Sequence, residues 1–344
     1  MKIIVDAMGG DFAPQAAVSG ALLAARRYDT EIILVGQTEK ILRELERCGE
    51  KEVPRGFEIR NAEEIVEISD DPATAFKKKK DSSLTVGLNL LRDGEGDGFV
   101  SAGSTGALLA GATLIVKRIR GLRRAALAPV LPTSTGQAVL IDCGANAECT
   151  SEYLLQFAYL GSYYAKKVLG MENPRVALLN IGAEPSKGNA LSLETYARLS
   201  AADQAGALHF VGNIEAKEAM LGGCDVIVTD GFTGNVMLKT IEGSGKLMTQ
   251  MLKGVLTRSM VSKLAAVLLK KGLLDFKKML DPSEVGGTML LGIAKPVIKA
   301  HGSSNELAFC NAIRQAVTVA QSGLIEAIAE DIEQIKIKTS DEEL

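Results

Sequence analysis

Short β-branched runs that end in small, polar, glycine-bearing turns constrain this chain more than any other feature. Lys2–Asp6 runs into Ala-Met-Gly-Gly-Asp11, and Gly98–Ser101 runs into Ala-Gly-Ser-Thr-Gly106. Ala138–Asp142 is followed by Cys-Gly-Ala-Asn146, and Arg175–Asn180 by Ile-Gly-Ala-Glu184. Asp225–Thr229 leads into Asp-Gly-Phe-Thr-Gly-Asn235, while Glu31–Val35 and Leu208–Val211 read as further buried strands. Between them lie segments with helical spacing, Ala13–Arg27, Thr85–Arg92, Ser151–Val168 and Leu191–Ala202. Strands alternating with helices form a mostly parallel sheet covered on both faces, a three-layer α/β/α arrangement. In such a sheet the carboxyl ends of the strands share one edge, and ligands bind there. Five polar turns at that edge predict one backbone-lined site. No repeat or Pro- or Ser-rich linker divides the chain, so residues 1–335 read as a single compact unit. A helical excursion is expected at about 239–280, and 336–344 reads as a frayed polar tail.

Composition removes several function classes. A formal net charge of −3 argues against a nucleic-acid partner. Two histidines and five scattered cysteines without a CxxC pair argue against a structural metal and for reduced cytosolic thiols. A bilayer span needs about 18 apolar residues in a row. The longest run, Ala107–Val116, stops at Lys117. The apolar stretch after Lys2 is too short for a signal peptide, so a cytoplasmic protein is expected.

The turns carry the chemistry. Ser104 or Thr105 can cap a helix, and with Gly106 the exposed N–H groups of that helix start suit phosphate. The turn is neither a Walker sequence nor a G-x-G-x-x-G, so no nucleotide cofactor is indicated. Asp230 at a strand end is either a base or an Asx-turn carboxylate. Asn235 and Lys239 are four apart and share one helix face. Glu184 and Lys187 lie in a loop from which the lysine can meet an anion. His301, beside Ser303, suits donation to a thioester oxygen or a leaving thiolate, whereas His209 inside an apolar strand reads as structural. Ordinary turn and surface chemistry is the competing reading for each. No G-x-S-x-G is present and no cysteine has an evident base, so a covalent acyl-enzyme is not expected.

Basic residues cluster outside the turns. Lys77–Lys80 and the group Arg118, Arg120, Arg123 and Arg124 read as solvated faces or as docks for an acidic partner. Lys253–Leu280 holds seven basic residues and one acid, a local charge of +6. Its Leu264, Leu268, Leu273, Phe276 and Leu280 recur at helical intervals. Such a segment lies on an anionic membrane surface, or packs as a helical pair in the core or in a dimer.

Taken together, Val5–Asp11, Ser101–Ala107, Asp142–Asn146, Asn180–Asn189, Thr229–Val236 and Lys299–Ser304 resemble the PlsX family of phosphate acyltransferases, in the expected order and over essentially the whole chain. The resemblance implies transfer of an acyl group from acyl carrier protein to inorganic phosphate. It also implies a Rossmann-like fold similar to phosphotransacetylases and isopropylmalate-type dehydrogenases. It further implies a homodimer peripherally associated with the membrane, whose acyl phosphate passes to a membrane glycerol-3-phosphate acyltransferase. The chain departs from the pattern at Phe12, where His is usual, which excludes a base there, and at Ser104 and Leu307, where Asn is common. Phosphate is expected at the Ser104–Gly106 turn, assisted by Lys187 and Asn235, with Asp230 and His301 handling protons and orientation. Asp6, Gly9, Gly10, Asp11, Asp142, Asn146, Asn180, Glu184, Thr233, Gly234, Lys239 and Ser303 complete the expected site. An acyl-CoA-using phosphotransacetylase and a non-enzymatic membrane scaffold remain as rival readings.

Overall fold

The computed structural model describes residues 1–279 and 282–332. Among them twelve strands alternate with helices: β1 Lys2–Asp6, β2 Glu31–Gly36, β3 Phe57–Asn61, β4 Gly98–Ser101, β5 Ala126–Ala128, β6 Val130–Thr133, β7 Gly136–Ile141, β8 Val176–Leu179, β9 Phe210–Ile214, β10 Val226–Val228, β11 Gly287–Leu291 and β12 Val297–Ala300. They form two sheets, one ordered β3-β2-β1-β4-β12-β11-β5 and the other β6-β7-β10-β8-β9. Pairing is parallel except where β11 meets β12 and β5, and where β6 meets β7. The central strands read as unbroken apolar runs because helices cover both their faces. Ile3, Ile4 and Val5 of β1 are fully buried, as are Val226, Ile227 and Val228 of β10.

Two sheets arise where the sequence pattern suggests one. The chain passes from one sheet to the other at Pro129, which separates β5 from β6. β5, just before it, pairs in the larger sheet, and β6, just after it, pairs in the smaller one. Pro129 has no N–H to offer either ladder, while its carbonyl accepts from Leu140 N–H at 3.0 Å. One hydrophobic core nevertheless runs from Ile3 and Val5 through Ala126 and Ala128 to Val139, Ile141 and Val226. The helices Gln15–Tyr28 and Glu306–Gln321 pack together on one face of the larger sheet, and Ser83–Arg92 lies on the other.

This arrangement sets the carboxyl ends of β1, β4 and β12 opposite those of β7 and β10. The turn after β10 starts a 27-residue helix, Gly231–Thr257, followed by Met260–Leu268 and Lys270–Met279. The long helix spans roughly 40 Å at 1.5 Å per residue. The excursion thus begins at the strand end rather than near Lys239. Leu280 and the tail 336–344 lie outside the described residues.

Candidate functional site

The larger sheet supplies three interlocked turns. The Asp6 carboxylate is buried and accepts from Ser101 Oγ at 2.6 Å and from Met8 N–H at 3.1 Å. Ser101 Oγ in turn accepts from Gly103 N–H at 3.1 Å. Asp11 N–H donates to the Gly302 carbonyl at 2.8 Å, tying the β1 turn to the β12 turn. Gly9 is needed for this closeness, since a Cβ there would lie 2.6 Å from Asp6 Oδ2 and 2.7 Å from Gly103 N. Asp6, Gly9 and Gly10 therefore hold the turns together, and Asp11 stands exposed beside Gly302. Ser104 caps Thr105–Gly111, with Ala107 N–H pointing at its Oγ. Thr105 is exposed toward the cleft, while Gly106 packs against Pro72.

The smaller sheet supplies the opposite wall. Asp142 is fully buried and saturated. Its Oδ1 accepts from Leu127 N–H at 2.8 Å and Cys143 N–H at 2.6 Å, and its Oδ2 from Asn146 N–H at 2.6 Å. Burial pushes its pKa up, against the pull of these donors. Asn146 also donates through Nδ2 to the Ala125 carbonyl at 2.8 Å. Asp142 and Asn146 thus join the two sheets at the cleft floor. Gly234 seats the long helix on this floor, and Asn235 and Lys239 rise from the same helix into the cleft. Lys239 is held by Glu242 at 2.9 Å.

Between the walls lies a cleft of about 470 Å³. Its apolar side is Leu127, Pro129, Val130, Leu131 and Pro132 from the sheet crossing, with Leu238 and Ile241 from the helix. Its polar end holds Thr105, Asn235, Lys239, Glu242, Lys299 and His301. Ser303 N–H points to His301 Nδ1 at 3.2 Å, and Ser303 Oγ lies 2.9 Å from the same nitrogen. A ring nitrogen that accepts leaves the proton of the neutral imidazole on Nε2. Burial first, then the Lys239 charge, lower the His301 pKa, so the neutral ring is favoured at pH 7. Cys143 lines the cleft as well, but burial and Asp142 push its pKa up to about 12, so its thiol is no nucleophile.

Lys299 opens the Lys299–Ser304 motif, yet the sequence reading gives it no role in the site. It is a lone cation in the strand Val297–Ala300, whose other three residues are fully buried. Its Nζ lies 3.4 Å from the Ala102 carbonyl and also against that of Ala300. Burial lowers its pKa to about 8, with Asp6 and Asp11 opposing the shift. A lysine interrupting an apolar strand is the signal that was available.

Other expected residues fall elsewhere. Asp230 is the N-cap of the long helix, accepting from Thr233 N–H and Thr233 Oγ, each at 2.8 Å. Both line a second recess, with Phe232, Glu148, Cys149 and Asn189. Asn180 closes the loop that carries Glu184 and Lys187, donating from Nδ2 to the Lys187 carbonyl at 3.0 Å. Glu184 and Lys187 are exposed on that loop and line neither cleft nor recess. Leu264 and Leu268 are 65% and 81% exposed, and Phe276 is also exposed, while Leu273 is half-buried. Among the described residues, no helix is long and apolar enough to cross a membrane.

Comparison with known proteins agrees with the fold and narrows the chemistry. Residues 1–327 match the family described as fatty acid synthesis protein. A phosphate acyltransferase of Thermoanaerobacter pseudethanolicus is 46% identical over 97% of this chain and 98% of its own. One from Bacillus licheniformis is 45% identical, over 97% of this chain and 99% of its own. Among solved structures, a phosphotransacetylase from Streptococcus pyogenes superposes with a TM-score of 0.59 at 19% identity, over 93% of this chain and 94% of that one. A 4-hydroxythreonine-4-phosphate dehydrogenase from Klebsiella pneumoniae gives 0.54 at 14%, over 93% and 99%. These two likenesses concern the α/β fold alone.

Proposed function

We propose, since the chain belongs to this family of phosphate acyltransferases, that it moves a fatty acyl group from acyl carrier protein to inorganic phosphate, giving an acyl phosphate for phosphatidic acid synthesis. The observation that carries this reading is the two-sided cleft. One wall is apolar from Leu127 to Pro132, and the end holds Lys239, His301 and a capped helix start. An apolar chain and an inorganic anion are the two reactants such a cleft suits.

The first-turn N–H groups of Thr105 and Gly106 have no intrahelical acceptor and suit a phosphate oxygen. Asn235 faces them from the other wall. A phosphate oxygen forms a bond to the thioester carbonyl carbon, the carbonyl oxygen becomes an oxyanion, and the carbon–sulphur bond then breaks with departure of the thiolate. Proximity and oxyanion stabilisation supply the rate, because phosphate is already nucleophilic. The Nε2–H of His301 serves the oxyanion or the leaving sulphur. Asp230 acts through the helix it caps, which carries Asn235 and Lys239, rather than as a base. Lys187 approaches from its exposed loop as a secondary anion contact.

Exposed Lys77, Lys78 and Lys80 stand beside the Thr105 helix, against which Ala75–Lys78 packs. They suit an acidic carrier protein. The helices from Gly231 to Met279 expose Met260, Leu264 and Leu268 beside basic residues, which supports peripheral contact with an anionic membrane and pairing with a second copy. A membrane glycerol-3-phosphate acyltransferase is the proposed consumer of the product.

The test is a reaction with acyl-acyl carrier protein and inorganic phosphate as the only substrates. Acyl phosphate and free carrier protein are expected without nucleotide. An absolute nucleotide requirement overturns the reading. A kcat/KM at least tenfold higher with acyl-CoA replaces the carrier-protein donor with the coenzyme.

A further inference from the structure

We infer that Lys299 is a catalytic residue of this cleft, its ammonium receiving the incoming phosphate and holding it against the thioester carbonyl. The inference rests on the acyl-transfer reading of the cleft and adds a residue to it.

The placement follows from strand pairing. On β12, Lys299 lies in register with Ser101 of β4, at the carboxyl edge where the β1, β4 and β12 turns meet. Its neighbours Val297, Ile298 and Ala300 are fully buried, so the strand is anchored and the lysine's position is set by the sheet. The Ala102 and Ala300 carbonyls occupy two of the three donors of the ammonium and orient it. The third remains for the cleft that the residue lines.

Charge balance gives the placement a purpose. Five charged or titratable groups surround it: Asp6 and Asp11 from β1 and its turn, Lys239 and Glu242 from the long helix, and His301 beyond its own strand. Lys239 already has an ion-pair partner in Glu242 at 2.9 Å. Asp6 is committed to Ser101 Oγ and Met8 N–H. Among the described residues no carboxylate makes an ion pair with Lys299, although it is partly buried. Keeping a withdrawn ammonium charged without a counter-ion is unfavourable, and its lowered pKa of about 8 reflects that burial. A phosphate anion bound at Lys299, in the cleft it lines with Thr105 and His301, supplies the missing negative charge. In the transfer itself the phosphorus–oxygen–carbon link forms, the carbon–sulphur bond breaks and the thiolate leaves. Lys299 neither gains nor loses a proton, and its charge keeps the nucleophile in place.

The test uses the full chain with Lys299→Met and Lys299→Arg. Lys299→Met is expected to raise the KM for phosphate about tenfold to a hundredfold, the size of a lost charge-assisted contact, with the acyl-donor KM within about twofold. Phosphate affinity of the unaltered protein is expected to fall as pH rises past about 8, where Lys299 loses its charge. In Lys299→Arg that fall moves upward by at least about one pH unit, because guanidinium stays protonated. An unchanged phosphate KM in a folded Lys299→Met variant overturns the inference. If Lys299→Met does not fold, an identical pH dependence in Lys299→Arg overturns it. Direct titration of inorganic phosphate into the same proteins, without any acyl donor, separates the two readings. If no acyl phosphate forms but Lys299→Met still weakens phosphate binding, the acyl-transfer reading fails and the anion site at Lys299 stands.

Discussion

The long helix Gly231–Thr257 belongs to two different environments, and two of its glycines define them. A Cβ on Gly234 would lie 2.0 Å from the Asp142 carbonyl oxygen, backbone against backbone. Further along the same helix, a Cβ on Gly254 would meet nothing within 4 Å. At its start the helix is locked to the sheet edge, its N-terminus capped by Asp230 and its first residue bonded through N–H to the Asn146 carbonyl at 2.8 Å. At its far end it carries Met251 and Val255, both well exposed, into an arm whose next helix exposes Met260 and Val261 at 79% each. The lesson is a division of labour. The groups proposed to hold a reactant stand where backbones interlock, while the arm leaves apolar and basic side chains exposed.

The largest expected effect lies at the locked end. Gly234→Ala should cost at least about 3 kcal/mol, because neither the helix nor the Asp142 carbonyl can yield without disrupting the floor of the cleft. Chemical denaturation measures it, and a near-neutral result would mean that this end is not locked. Next comes chemistry on the locked frame. His301→Ala should lower turnover about 10²-fold with the fold intact, and Lys187→Ala should cost less because Lys187 is exposed outside the cleft. Equal losses would move part of the active site onto the 180–189 loop.

The pH profile sharpens the same point. The His301 pKa lies below its usual 6.5, so the neutral ring persists above that value and is lost as pH falls through the lowered one. Activity should therefore hold from neutral pH down to about 6.5 and decline below it. Lys239→Ala removes a charge that depresses His301 and should shift that acid limb to higher pH. An unmoved limb assigns it to another group.

The arm is tested by smaller changes. Exchanging Leu264 and Leu268 for Glu should abolish binding to anionic vesicles while sparing transfer from acyl carrier protein in solution, since both side chains face away from the protein. Lost activity together with unfolding would show that these leucines are packed in the working assembly. The smallest effect should be Gly254→Ala, a gain of about 0.5–1 kcal/mol from helix propensity at an open position. A loss instead would mean that the arm is closely covered in solution, and the contrast between the two ends would collapse.

Much of the frame was legible from residues alone. The runs at Lys2–Asp6, Gly98–Ser101 and Asp225–Thr229 announce buried strands, and the coordinates place β1, β4 and β10 within them. The short strands β5, β6, β11 and β12 were not legible. They have three to five residues, and several contain Pro, Thr, Gly or Lys, so they acquire their form from neighbours rather than from propensity. Lys299 was lost with β12.

The repeated strand–turn–helix punctuation by itself determined an α/β protein with polar turns gathered at strand ends, because parallel strands require crossovers and crossovers put those turns on one edge. Tertiary structure alone decided which turns share a cleft. Asp142 and Asp230 look alike in sequence, each a carboxylate at a strand end leading into a glycine-bearing turn that ends in Asn. Asp142 turns inward, saturated by N–H groups from Leu127, Cys143 and Asn146, whereas Asp230 caps a helix at the rim of a different recess. The difference comes from the crossing at Pro129, which brings Leu127 of one sheet against β7 of the other. Such a contact depends on the order in which distant strands pair, and no local run of residues encodes it.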